Sequence, residues 1–351
     1  MVNEQKSYTG LNLVSFFSFY EKTSKSHIYY LIEYPIVAFL LNIDVHYTFM
    51  IKISRIKVMK LVCGLFGLEN LHGGDITSYI DISKMAEDLG FDSVSVTDHV
   101  VMGKNLHKYP FGNFPLPSDS NWYEPLSILT MIASNTKKIK LATAILIAPL
   151  RSPALLAKTA ATLDTISQGR LELGLGTGWQ EEEYHASGIS FKNRASIFWE
   201  TIDIIKKLWG ANPISHQGEN FEFEDIWCVP KPAQEDLPLF FGLKMNDENA
   251  KKIATYGHGW IPIKTSTNFI NEGAKKLSEA FKENDREENP RIRGQLTTEL
   301  DENGPNLNLT IQNLEKSAEA GLNEVEFFPI NFVQSPDDLK NSLKEISRNF
   351  K

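Results

Sequence analysis

Short apolar runs alternate with amphipathic helical patterns along the chain from residue 60 to its end. This alternation is typical of βαβ units, in which helices join the strands of a parallel sheet. The apolar runs predict eight strands: Lys60–Phe66, Asp92–Thr97, Lys138–Ile147, Leu171–Leu175, Leu237–Gly242, Gly259–Ile263, Arg291–Thr298 and Glu324–Pro329. Eight parallel strands close into a barrel, so we predict an α/β fold of the TIM (β/α)8 type.

The segments between these strands repeat their apolar residues with a period near 3.6, as helices do. In Ile76–Leu89 the pattern ends at Gly90, a residue that commonly terminates helices. The other predicted helices are Pro153–Ser167, Ala195–Trp209, Asp247–Tyr256, Asn268–Lys282, Leu309–Ala320 and Pro336–Phe350. Strands and helices therefore alternate in the order that the barrel requires.

Two long segments interrupt this order, one after the second strand and one after the fourth. The first insertion, Val101–Asn121, is a polar and aromatic loop. The second, Ile214–Pro232, alternates apolar and polar residues around a short turn, which predicts a hairpin. Long loops at the carboxyl ends of barrel strands build ligand pockets, so both insertions are expected near a functional site.

The first 58 residues differ from the rest of the chain, because their basic side chains outnumber the acidic ones. The apolar run between His27 and Ile53 is interrupted by charged residues and Pro35, and its cleanest piece is shorter than the roughly 20 residues of a membrane span. We therefore predict two parts: an N-terminal extension at 1–58 that is not needed by the barrel and is absent from the natural protein, and a barrel domain at 59–351. A membrane anchor in the extension is the alternative.

Composition favours small-molecule chemistry. The net charge of −8 disfavours nucleic acid and anionic membranes as partners, because both attract basic surfaces. The two cysteines, Cys63 and Cys228, are far apart and show no metal-ligand spacing, so we predict neither a disulfide nor a metal site. This cysteine usage indicates a cytoplasmic protein.

The fourth predicted strand runs into a glycine-rich turn, Gly174-Leu175-Gly176-Thr177-Gly178-Trp179. Glycines at such a turn let backbone N–H groups approach a ligand, although a tight turn alone also favours glycine. The dinucleotide-binding motif needs a third glycine where Trp179 stands, so that fold is excluded.

Candidate chemistry lies where strands end. Asp98 and His99 follow the second strand; the histidine can transfer protons near neutral pH, and the aspartate can orient it or bind a cofactor edge. A solvated loop histidine is the alternative. Glu182 and Glu183 resemble a pair of catalytic carboxylates, but acidic residues at a helix start also stabilise the helix dipole, so at least one is expected to be structural.

The glycine-rich turn and the residues that follow it resemble those of luciferase-like flavin and deazaflavin enzymes, specifically the subgroup of probable F420-dependent oxidoreductases. The resemblance rests on Glu182, Glu183, Tyr184, Gly188, Phe191, Arg194, Asp92-Ser93-Val94, Asp98-His99-Val100, Tyr109-Pro110-Phe111-Gly112, Arg151-Ser152-Pro153, Gly169-Arg170 and Pro230-Lys231-Pro232. These motifs are individually weak but are strong in this order and spacing.

The resemblance implies where a cofactor binds. His99 faces the flavin or deazaflavin ring, and a bulge with a cis peptide near Ala144 and Ile145 supports that ring. The turn residues Gly176, Thr177 and Gly178 line the cofactor. Gly242 and Lys244 receive its phosphate, where the family commonly has a second glycine and this chain has Leu243.

The resemblance also implies an oxidoreductase that binds coenzyme F420 or FMN, exchanges hydride with a small organic substrate and forms a homodimer through helices near strands two and three. The subgroup favours F420. Related sugar-phosphate dehydrogenases carry tryptophan where this chain has Gly103, which disfavours that substrate. Two alternatives stay open: an FMN-dependent monooxygenase similar to alkanesulfonate monooxygenase, using reduced flavin and O₂, and a flavin-binding barrel without catalysis, which the change at Leu243 suggests.

Overall fold

The structure, a computed structural model, describes residues 59–110, 112–114 and 116–350. The predicted N-terminal extension lies outside the described residues, so its separation from the barrel stays a prediction. The strands are β1 (Lys60–Gly64), β2 (Ser93–Val96), β3 (Lys140–Thr143), β4 (Leu146–Ile147), β5 (Leu171–Gly176), β6 (Ile214–Gln217), β7 (Glu222–Ile226), β8 (Leu239–Phe241), β9 (Gly259–Trp260), β10 (Arg291–Gln295), β11 (Leu300–Asp301), β12 (Gly304–Pro305) and β13 (Glu324–Phe327).

Helices follow most of the barrel strands. They are α1 (Ser78–Leu89), α2 (Pro125–Ala133), α3 (Pro153–Ser167), α4 (Glu181–Ala186), α5 (Arg194–Trp209), α6 (Asp247–Tyr256), α7 (Thr267–Glu283), α8 (Leu307–Gln312), α9 (Leu314–Glu319) and α10 (Pro336–Arg348). Within the described part of the chain, none of these helices is long and apolar enough to cross a bilayer.

Parallel strands at eight positions form one closed sheet. β1 pairs with β2 on one side and with β13 on the other. The third position is divided, because β3 and β4 lie on either side of a cis peptide bond between Ala144 and Ile145. Both halves pair with β5, which closes the ring. The predicted TIM barrel is therefore confirmed, and the cis peptide lies where the family resemblance implied it.

Both insertions lie where the sequence predicted them. The first insertion contains a short 3-10 turn, Leu106–Lys108. The second contains the antiparallel hairpin of β6 and β7. Glu200 on α5 holds the hairpin turn by accepting hydrogen bonds from the backbone N–H groups of Asn220 at 2.9 Å and Phe221 at 3.0 Å.

The helix prediction was wrong in two respects. The predicted helix Leu309–Ala320 is two helices, α8 and α9, which meet at Asn313, because that residue ends one helix and precedes the next. One helix, α2, was not predicted, whereas the helix start expected at Glu182 and Glu183 is α4. The signal for α2 was present in the sequence: Glu124 caps the helix through the Ser127 N–H, and Pro125 occupies its first position.

A buried ion network fills the part of the barrel interior where the strands begin; it consists of Glu172, Arg291, Arg293 and Glu324. Arg293 is fully buried and contacts both carboxylates, Glu324 at 2.6 Å. Arg291 contacts the same two, at 2.8 Å and 2.5 Å. Both guanidinium groups lie over the Phe240 ring, 4.3 and 4.5 Å from its centre. Each charge of the network therefore has an opposite partner, and each guanidinium group also has an aromatic contact.

The network shifts the acidities of its members in opposite directions. Burial alone raises the pKa of Glu172, but the positive charges of Arg293, Arg291 and Lys140 outweigh it and hold that pKa well below its usual range. Burial lowers the pKa of Arg293, whereas the two carboxylates raise it above the ordinary arginine value. Both groups are therefore charged at neutral pH.

Candidate active site

His99 lies three residues after β2, at the carboxyl-end mouth of the barrel, and its side chain is only 8% exposed. Three aromatic rings contact it and two more pack against those three, and we call the five the aromatic shell: Phe66, Tyr109, Phe114, Trp122 and Trp179. The Trp122 ring is nearest, with its centre 4.5 Å from the imidazole in an edge-to-face arrangement. Phe114 and Trp179 lie at 6.0 Å. The imidazole is therefore buried, and the alternative of a solvated loop histidine is wrong.

The aromatic shell joins three separate parts of the chain. Phe66 follows β1 and packs on Trp122, and Trp179 follows β5. Tyr109 of the first insertion contacts both Phe114 and Trp179 at 5.1 Å between ring centres. The indole N–H of Trp122 is buried and has no hydrogen-bond partner among the described residues. The ring faces of the shell are apolar, and its polar atoms are the Tyr109 hydroxyl and the two indole N–H groups.

Glu183 is the acidic group that faces His99. Its Oε2 lies 3.0 Å from Nδ1 of the imidazole, and its side chain is 0% exposed. Its other oxygen, Oε1, accepts a hydrogen bond from the Val100 N–H at 2.9 Å. Glu182, the neighbouring carboxylate, instead accepts from the Asn105 amide. The structure thus separates the two glutamates that the sequence presented as a pair.

The turn between β5 and α4 holds the start of the first insertion through three side chains, and we call this contact the turn clamp. Gln180 accepts a hydrogen bond from the Gly103 N–H at 2.7 Å, while Glu182 and Glu183 bind the neighbouring residues as described above. The turn clamp fixes residues 99–105 against the glycine-rich turn.

Asp98 uses both carboxylate oxygens within the protein. Oδ2 accepts from the Ile147 N–H at 2.8 Å, and the Arg151 guanidinium donates to both oxygens, at 2.7 and 3.0 Å. These contacts join the end of β2 to the end of β4. These contacts indicate that Asp98 orients the segment that carries His99. A contact of Asp98 with a cofactor edge stays a prediction.

The Ile145 side chain occupies the space that two predicted site glycines leave open. A Cβ atom at Gly242 would lie 2.1 Å from Ile145 Cδ1, and one at Gly176 would lie 3.0 Å from the same atom. Ala144 and Ile145 are half-buried. The bulge, Gly176 and Gly242 therefore form one ledge at the barrel mouth, and we call it the glycine ledge.

The other predicted cofactor residues lie around the glycine ledge. Thr177 and Gly178 are half-buried, and Gly178 packs on Ile147. Lys244 is exposed, and no described residue pairs with its ammonium group. Leu243 is buried in the core, and its carbonyl accepts from the Trp260 indole at 2.8 Å. The exposed ammonium group of Lys244 thus lies two residues after Gly242, and the intervening Leu243 packs in the core.

The sequence indicated some of this site and missed the rest. Trp122, Phe114 and Arg151 were not predicted as site residues. The aromatic content of the first insertion and the Arg151-Ser152-Pro153 motif were the available signals, but neither indicates which side chains meet His99.

Residues 61–303 match the family model described as luciferase-like monooxygenase. The chain belongs to this family. The resemblance inferred from the sequence motifs is therefore confirmed. An uncharacterized protein of Mycobacterium tuberculosis is 30% identical to this luciferase-like protein over 60% of the chain and 76% of the relative.

Two named relatives match shorter parts of this luciferase-like chain. An F420-dependent glucose-6-phosphate dehydrogenase of Amycolatopsis mediterranei is 30% identical over 46% of each chain. The pyrimidine monooxygenase RutA of Variovorax paradoxus is 31% identical over 46% of this chain and 45% of its own. Among solved structures, monooxygenase RslO1 from Streptomyces bottropensis superposes with a TM-score of 0.70 at 17% identity, covering 83% of this chain and 98% of that one. This last likeness shows the fold.

Proposed function

We propose that this luciferase-like protein is an oxidoreductase that uses coenzyme F420 to exchange hydride with a small organic substrate. The observation that carries the proposal is His99, a buried imidazole enclosed by an aromatic shell at the barrel mouth. The F420-dependent relative and the subgroup motifs support the deazaflavin. Gly103 contacts Glu182 so closely that a Cβ atom would lie 2.7 Å from that side chain, so the family's tryptophan has no room here, and sugar phosphates are disfavoured.

The residues at the barrel mouth fit a cofactor of this kind. Ala144 and Ile145 would support its ring, Gly176, Thr177 and Gly178 would line it, and Gly242 and the free ammonium of Lys244 would hold its phosphate. When bound, F420 supplies a ring that accepts or donates hydride. His99 would move the accompanying proton, and the aromatic shell would exclude water, which strengthens electrostatic interactions.

An FMN-dependent monooxygenase is the second candidate function, because similarity to a pyrimidine monooxygenase is as strong as that to the F420 enzyme. The full chain titrated with F420 and with FMN, each oxidised and reduced, distinguishes the two by absorbance and fluorescence. We expect F420 to bind. Binding of reduced FMN alone would favour oxygenation, and binding of neither would contradict both candidate functions.

We also propose a cytoplasmic homodimer, with contacts through α3. Leu155 on this helix is 62% exposed, and Ile166, three turns along, is exposed on the same face. Leu155→Glu should convert the dimer to a monomer in light scattering, because the charge would be buried in the interface. Leu300→Glu, at a residue that is 67% exposed on β11, is the matched control and should leave the mass unchanged. A wild-type monomer would contradict the proposal.

A further inference from the structure

We infer that Glu183 is a positioning residue that holds His99 in the tautomer with a proton on Nδ1 and a free lone pair on Nε2. The inference rests on the proposed function, in which His99 handles a proton, and it specifies the atom that does so. Glu183 acts through the imidazole and touches neither cofactor nor substrate in this role.

The contact between the two side chains is short and isolated. Glu183 Oε2 lies 3.0 Å from His99 Nδ1, and both side chains are buried. The two atoms fall short of hydrogen-bond alignment, yet neither has any other hydrogen-bond partner among the described residues. A buried carboxylate oxygen without a donor is destabilising, so the nearest available N–H is the group expected to satisfy it.

The second oxygen of Glu183 fixes the carboxylate in place. Because Oε1 accepts the Val100 N–H at 2.9 Å, the same side chain holds both the backbone after His99 and the ring of His99. The carboxylate cannot turn its Oε2 away from Nδ1 without losing the Val100 contact. The geometry therefore resembles that of a carboxylate that orients a catalytic histidine.

The chemistry of the two groups decides the tautomer. An ionised carboxylate only accepts hydrogen bonds, and a neutral imidazole donates from one nitrogen and accepts at the other. With the proton on Nδ1, Nε2 is the nitrogen that takes a proton. The negative charge of Glu183 then stabilises the imidazolium that forms.

The full chain labelled with ¹⁵N provides the test, since long-range ¹H–¹⁵N spectra distinguish the two neutral tautomers of a histidine. The His99 signals are assigned by their absence in His99→Gln. We expect the Nδ1–H tautomer in the unmodified protein. The Nε2–H tautomer there would overturn the inference without any further variant.

Glu183→Gln sharpens the test. A glutamine has one carbonyl oxygen, which the Val100 N–H retains, so its NH₂ group would face Nδ1 and donate to it. We expect the tautomer to invert to Nε2–H. Glu182→Gln, which alters the neighbouring carboxylate on Asn105, should leave the tautomer unchanged. An unchanged tautomer in Glu183→Gln, or the same inversion in Glu182→Gln, would overturn the inference.

The spectrum reports the tautomer of His99 without any catalytic reaction, so this inference can be tested independently of the proposed function. If the Nδ1–H tautomer is found and inverts in Glu183→Gln, the positioning role stands even where loss of His99 leaves turnover intact, and that second result would count against the proposed function alone.

Discussion

Replacing His99 with alanine is expected to reduce turnover by about 10²- to 10⁴-fold, the range that a positioned general acid or base contributes. The reason is that none of the five residues of the aromatic shell carries an imidazole or a carboxylate that could replace it. Cofactor binding should persist, because the glycine ledge and Lys244 are separate from the imidazole. The measurement is single-turnover reduction or oxidation of the bound cofactor, followed by its absorbance.

His107→Ala is the matched control, because this histidine is exposed in the same insertion. It should leave turnover unchanged. The thermal unfolding of both variants shows whether loss of the His99–Trp122 contact has altered the fold. Full turnover in a folded His99→Ala protein that still binds cofactor would contradict the assignment of proton transfer to this histidine.

Replacing Arg293 with methionine is expected to lower the free energy of unfolding by about 3–5 kcal/mol, as removal of one partner from a buried ion pair usually does. Methionine fills much of the arginine volume, so the loss reflects two buried carboxylates, Glu172 and Glu324, left with less positive charge. Urea denaturation measures it. Arg348→Met, which breaks an exposed pair with Glu345, is the control and should change stability by no more than about 1 kcal/mol.

The same network should make stability depend on acid pH. The folded pKa of Glu172 lies below the ordinary value of 4.5, so its stabilising contribution is complete above that pH and declines as the pH falls through 4.5 towards the lower folded pKa. In Arg293→Met the two buried carboxylates have lost a positive neighbour, so their protonation at low pH stabilises the folded variant. The difference between the two proteins should therefore be larger at pH 7 than at pH 4, and an equal difference at both would count against the ionic explanation.

The barrel could be predicted from sequence because each strand and helix carries its own local pattern. Pro153–Ser167 and Asp247–Tyr256 match the structure at both ends, since a proline or a capping asparagine begins each helix. The break at Asn313 was missed because the apolar period continues across it. Local patterns thus predict where helices and strands lie better than they predict breaks within them.

The site was less accessible to prediction, because its contacts join distant residues. Glu183 and His99 are 84 positions apart, and only the folded barrel shows that this glutamate, and not Glu182, meets the imidazole. The structure places the Ile145 side chain against Gly176 and Gly242, a contact that the sequence did not indicate, and the role of both glycines in cofactor binding stays a prediction. A sequence shows that a glycine leaves space but does not show what fills it.

The turn clamp has a consequence for exchanging loops between relatives of this protein. The first insertion is anchored by Gln180, Glu182 and Glu183, which lie more than 70 residues further along the chain. A graft that transfers only residues 99–121 would separate the loop from these anchors. The transferable unit is a discontinuous pair of segments, the loop together with the turn at 180–183.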